Sequence, residues 1–122
     1  MEIYKLKSFA RFAHAEKIAD ETLCEAVERV ARGLFDADLG GGLIKQCVAR
    51  KGQGRRGGFR VIFALRTKYF ALFLFGFAKT AQDNLDGGQL NVLRASAASW
   101  LSADAARIKE AVELGEILEV VK

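Results

Sequence analysis

Lys51, Arg56, Arg60 and Lys79 lie within one stretch, from Leu39 to Gln82, that contains no acidic residue. The same stretch holds Lys45, Arg50, Arg55, Arg66 and Lys68, so it carries nine of the nineteen basic residues of the chain. Cations at this density suit phosphate chemistry. An arginine fork matches two phosphate oxygens, whereas a lysine is a compact charge. Lysine also becomes a proton acceptor where neighbouring cations lower its pKa from about 10.4. Cleaving RNA without a metal requires a base for the 2′-hydroxyl, positive charge for the phosphorane and an acid for the leaving 5′-oxygen. Arg56 and Arg60 suit the charge-stabilising part, and Lys79 a proton transfer. Arg50 and Arg55 add substrate-binding charge. Asp83 can carry a proton if its pKa is raised, and Asn84 can position a base or backbone; capping a following helix is the competing role for both.

Outside the stretch the balance reverses, with fifteen acidic residues against ten basic. The net charge of +4 therefore conceals a strongly cationic block between mildly acidic flanks. A one-signed field of this kind concentrates polyanions, and RNA is the leading candidate. Seven of the twelve glycines fall between Gly40 and Gly58, and no proline occurs. Gly52-Gln53-Gly54-Arg55-Arg56-Gly57 spells G-x-G-x-x-G but leads into the strand pattern Phe59-Arg60-Val61-Ile62-Phe63, not into a helix. It is therefore no dinucleotide fingerprint. It reads as a cationic loop whose glycines allow close backbone approach to a ligand. Arg60 lies inside the strand, sharing a face with Ile62 and Ala64, at the mouth of a concave surface or partly buried.

Other chemistries find little support. His14 is the sole histidine, which excludes a two-histidine ribonuclease, and it reads as structural or surface. No cluster of His, Cys, Asp and Glu has metal-ligand spacing, so neither metal nor cofactor is expected. Cys24 and Cys47 read as two buried thiols in a reducing, cytoplasmic setting. The longest apolar run, Tyr69 to Ala78, is far shorter than the ~18 residues of a membrane helix. No leader pattern opens the chain. Among the aromatics, Phe59 and Tyr69 stand at strand ends as candidate base-stacking surfaces.

The elements that must position these groups belong to one domain spanning residues 1–122. Glu2 to Lys7 forms a short strand. Ser8 caps a first helix with Phe9, Phe12 and Ala13 on one face. A second helix starts near Ala19-Asp20, buries Leu23, Val27, Val30 and Leu34, shows Glu21, Glu25, Glu28, Arg29 and Arg32 to solvent, and ends at Gly33. Asp36 to Gly42 is a loop. Strands follow at Leu43–Ala49, Phe59–Arg66 and Tyr69–Phe77, the last two joined tightly through Thr67-Lys68. Two helices carry the stripes Leu90, Leu93, Ala97, Trp100, Leu101 and Ala105, Ile108, Val112, with Ser102 as a cap between them and Trp100 in the core. Ile117–Val121 closes as a strand. The fold class is α+β, with helices packed on an antiparallel sheet.

Residues 1 to 85 resemble the RelE-like toxins of bacterial toxin–antitoxin pairs, within the RelE/ParE superfamily and nearest its RelE/HigB-like mRNA interferase branch. The resemblance rests on Arg56-x-x-Phe59-Arg60, on Gly57-Gly58-Phe59-Arg60-Val61-Ile62, and on Phe75-Gly76-Phe77-Ala78-Lys79-x-x-x-Asp83-Asn84. It implies a small α+β domain with two N-terminal helices, C-terminal helices and a cationic concave sheet face. It further implies cleavage of mRNA in the ribosomal A site and silencing by a cognate antitoxin. Carried over by position, Arg60 falls on the strand arginine that contacts the scissile phosphate, and Lys51 or Arg50 near the family's basic residues on the preceding strand and loop. Lys79 ends the following strand. Thr80 stands where RelE has a catalytic arginine, and Leu85-Asp86 offers no match for the tyrosine that some members use. A ParE-type inhibitor of DNA gyrase and a non-catalytic RNA-binding module are the alternative readings. The acidic flanks also admit a homodimer beside the toxin–antitoxin hetero-oligomer.

Overall fold

A computed structural model describes residues 1–50, 54–82 and 84–121, with the backbone alone at 50 and 54–57. In chain order the elements are β1 (Glu2–Leu6), α1 (Lys7–Ala15), α2 (Asp20–Ala31), β2 (Ala37–Asp38), β3 (Leu43–Arg50), β4 (Gly54–Arg66), β5 (Phe70–Ala78), α3 (Gly87–Leu101), α4 (Ala105–Glu113) and β6 (Ile117–Glu119). The strands form one six-stranded sheet in the order β2-β3-β4-β5-β1-β6. All neighbours run antiparallel except β1 and β5, which are parallel. The α+β class and the helix-covered sheet are as expected from the pattern.

Strand alternation divides the sheet's residues between two helical layers. Phe59, Val61 and Phe63 of β4 pack under α1 and α2 with Phe9, Leu23 and Val27. Ile62 and Ala64 pack under α3 and α4 with Leu93, Ala97 and Ala111. Phe73 on one side and Leu72 on the other explain why β5 is apolar throughout: it lies between two cores. A bulge shifts the β4–β5 register between Ile62, opposite Phe75, and Phe63, opposite Phe73.

Several local expectations need correction. The N-cap of α1 is Leu6, and Ser8 lies inside the helix, so the turn from β1 is immediate. The Asp36–Gly42 connection contains β2, which pairs with Ile44 and Lys45. Arg66 pairs with Phe70, so three residues, not two, make the hairpin turn, with Lys68 at φ 71°. Asp104 caps α4 through the Arg107 N–H, whereas Ser102 ends α3. Trp100 is half-buried, with the Arg107 guanidinium 5.0 Å from its ring centroid.

The end of α2 sets the course of the chain toward the open edge of the sheet. Gly33, at φ 77°, lets the chain reverse, with Gly33 N–H donating to Val30 O at 2.9 Å and Leu34 N–H to Arg29 O at 2.8 Å. This is a Schellman terminator. Leu34 therefore leaves the helix stripe expected for it and is 56% exposed.

Candidate anion site at the open edge of β3

Cys47 lies opposite Arg60 in the β3–β4 register, and Arg60 lies opposite Phe77 of β5. These residues share the α3 side of the sheet, at the end where β5 runs out at Ala78. Because β2 pairs only with Ile44 and Lys45, no described strand flanks β3 beyond that point. The α2–β2 connection wraps around this edge instead. Between connection and sheet lies a cavity of about 560 Å³ lined by Arg29, Leu34, Phe35, Asp36, Gln46, Cys47, Arg60 and Lys79.

Arg60 is the centre of the site. It is 9% exposed, its Nε stands 3.7 Å from Asp36 Oδ2, and its buried Nη1 has no hydrogen-bond partner among the described residues. The same carboxylate oxygen lies 3.3 Å from Lys45 Nζ. Lys45 Nζ in turn donates to Asn84 Oδ1 at 3.2 Å, which ties the segment after β5 to the cavity side of β3. Burial raises the Cys47 thiol pKa, and Asp36 pushes it the same way, against the lowering effect of Arg60, Arg29 and Lys45. The thiol is accordingly protonated at neutral pH and reads as cavity wall.

The edge is held from the α2 side. Arg29 Nη2 donates to Cys47 O at 2.6 Å, and the residue is 7% exposed. Expected on a solvated helix face, Arg29 is instead drawn over the edge of β3, where a carbonyl without a neighbouring strand needs a donor. Gln46, 1% exposed, donates through Nε2 to Leu34 O at 2.8 Å and to Ala26 O at 3.2 Å. The Asp36 N–H donates to Lys45 O at 3.2 Å.

The structure thus brings together three of the residues singled out from the sequence. Arg60 and Lys79 line one cavity, and Asn84 reaches its border through Lys45. Lys51 and Asp83 lie outside the described residues, as do the side chains of Arg50, Arg55 and Arg56. Phe59 is corrected: it is 1% exposed, with the Phe12 ring edge-on at 5.7 Å, and cannot stack on a base. One residue from Arg60 in a strand, it must face the opposite core. Tyr69 is exposed but sits at the other end of the β4–β5 hairpin. The sequence reading missed Asp36, Phe35, Arg29 and Cys47. Only Cys47 carried a local signal, since it alternates with Lys45 along β3.

Arg29, Arg60 and Lys79 line this concave, partly apolar cavity together with one carboxylate, Asp36. The arrangement can bind an anion and stabilise negative charge that develops on it. Among the described residues no group of His, Cys, Asp and Glu could hold a metal, and no helix is long and apolar enough to cross a membrane.

A family model described as the RelE toxin of the RelE / RelB toxin–antitoxin system aligns with residues 1–120. No curated protein matches the chain.

Proposed function

The chain belongs to the RelE toxin family and is a toxin of a toxin–antitoxin system with a RelB-type antitoxin as its partner; from that premise we propose that it is a metal-independent endoribonuclease. It acts in the cytoplasm on mRNA in the ribosomal A site and so stops translation. The observation that carries the reading is Arg60: a residue 9% exposed, whose Nη1 has no hydrogen-bond partner among the described residues, inside a cavity that Lys79 also lines. An unsatisfied buried donor costs about 1–3 kcal/mol, more when charged, and a phosphate oxygen relieves that cost.

In this reading the 2′-oxygen attacks phosphorus, its proton passes to a basic group, and the 5′-oxygen leaves after taking up a proton. The product ends in a 2′,3′-cyclic phosphate. Arg60 and Arg56 stabilise the phosphorane. Lys79 and Lys51 handle protons, and Arg50, Arg55, Asp83 and Asn84 hold the RNA backbone. Positioned charge of this kind is worth about 10²- to 10³-fold per donor in related chemistry.

The test is primer extension on mRNA from a translating extract, comparing the wild type with Arg60→Ala. Cuts at discrete codons that need ribosomes and disappear in the variant are expected. Intact mRNA with arrested growth moves the reading to a gyrase-type inhibitor. Intact mRNA in cells that grow normally leaves a basic binding domain.

A further inference from the structure

We propose that Phe35, with Leu34 beside it, is the platform on which a nucleobase of the bound RNA stacks while its phosphate lies on Arg60; this rests on the RNA reading above. Leu34 is 56% exposed and Phe35 is 42% exposed, and both line the cavity that holds Arg60. Two adjacent apolar side chains in water need a reason, and here the backbone beneath them is fixed on both sides. Leu34 O accepts from buried Gln46, its N–H closes the Schellman turn, and the Asp36 N–H is bonded to Lys45 O. In such a turn the residue after the glycine usually packs back on the helix. The residue it would meet is Arg29, which is committed to Cys47 O, so Leu34 faces outward.

Phe35 is therefore presented on an anchored backbone. Folding has already paid the entropy of fixing this backbone, which leaves more of a stacking contact as net affinity. Its neighbour in sequence, Asp36, contacts Arg60, and the ring lines the same cavity as Arg60. A ligand that combines a phosphate with a flat apolar ring matches both halves of this cavity, and a nucleotide is such a ligand. Stacking on an aromatic side chain tolerates any base.

The test is the affinity of two probes by fluorescence anisotropy. One is a single-stranded oligoribonucleotide made uncleavable by 2′-O-methyl groups. The other is a ribose-phosphate chain of equal length without bases. Phe35→Ala is expected to weaken the first by about 5- to 150-fold and leave the second unchanged. Phe35→Trp is expected to keep both affinities. Equal weakening of both probes assigns Phe35 to holding Asp36 and overturns the platform, as does no weakening of either. Loss of an acidic antitoxin-like peptide alone makes the patch a protein contact and overturns it too. A wild type that binds neither probe overturns this inference, whereas the RNA reading itself stands or falls with the ribosome-dependent cuts.

Discussion

Arg60 Nε and Asp36 Oδ2 stand 3.7 Å apart, an ion pair without a hydrogen bond, while Lys45 Nζ approaches the same oxygen to 3.3 Å. Asp36 neutralises part of the charge at the base of the cavity without saturating Arg60, whose Nη1 has no partner among the described residues. The carboxylate therefore competes with an incoming phosphate. Asp36→Asn is expected to bind single-stranded RNA more tightly. Its plot of log K against log salt should steepen by about 0.7 for each additional phosphate contact. The same change is expected to lower stability by about 1–2 kcal/mol, because two largely buried cations lose a counter-charge. Affinity that falls or stays level across a salt series removes the counter-ion role.

Arg60→Lys keeps the charge and loses the fork. A lysine in β4 cannot hold Asp36 and a phosphate at once from two separate nitrogens. Cleavage by the Lys variant is expected to stay about 10²-fold or more below the wild type, close to that of Arg60→Ala. Recovery to within a few fold in single-turnover assays of programmed ribosomes shows that charge alone suffices there.

How much of this site was readable without coordinates depended on where its parts lie in the chain. The face of Arg60 followed from strand alternation with Ile62 and Ala64, and the helix stop at Gly33 from its composition. Phe59 was misplaced because β4 begins at Gly54, so the residue is strand interior and not strand end. Asp36 and Phe35 stand outside the basic stretch, and the α2–β2 connection carries them to Arg60, a long-range contact that no local pattern encodes. Arg29 looks like one more charge on a solvated helix face until the missing strand beside β3 is known.

Gly76 shows a family motif turning into packing. A Cβ at this position would collide with the Phe12 ring, inside any permissible contact. The ring of Phe12 lies against this glycine of β5 and also meets Phe59 edge-on. Gly76→Ala is expected to destabilise the protein by about 1–3 kcal/mol, read as a shift in the denaturation midpoint. The double variant with Phe12→Leu should recover part of that loss. An unchanged midpoint for Gly76→Ala contradicts the close approach.

Cys47 offers a direct footprint of the cavity. Burial, helped by Asp36, raises its pKa above the ordinary thiol value of 9.0, so little thiolate exists at pH 7. Alkylation at Cys47 is expected to be slow at neutral pH and to accelerate about tenfold per pH unit into the alkaline range. Cys24 is buried under α2 and should react only on unfolding. Saturating RNA should protect Cys47 while leaving the unfolding-dependent reaction of Cys24 unchanged. Equal labelling of Cys47 with and without RNA, by mass spectrometry of digested protein, places the RNA elsewhere.

Acid sensitivity should centre on the far side of the molecule. Asp20 opens α2 and accepts from Lys5 Nζ of β1 at 2.7 Å and from the Val121 N–H at 3.0 Å. Burial pushes its carboxyl up, but the hydrogen bonds from Lys5 and Val121 and the Lys5 charge outweigh that effect and hold the pKa below its ordinary value of 3.8. A carboxyl depressed in the folded state binds fewer protons there than in the unfolded chain. Its stabilisation is therefore complete above the unfolded value and is lost as pH falls through the folded one. Asp20→Asn is expected to cost about 1 kcal/mol at pH 7. The difference from the wild type should shrink as pH drops below about 4. Thermal midpoints of both proteins from pH 7 to pH 2.5 check this, and parallel curves over that range would refute it.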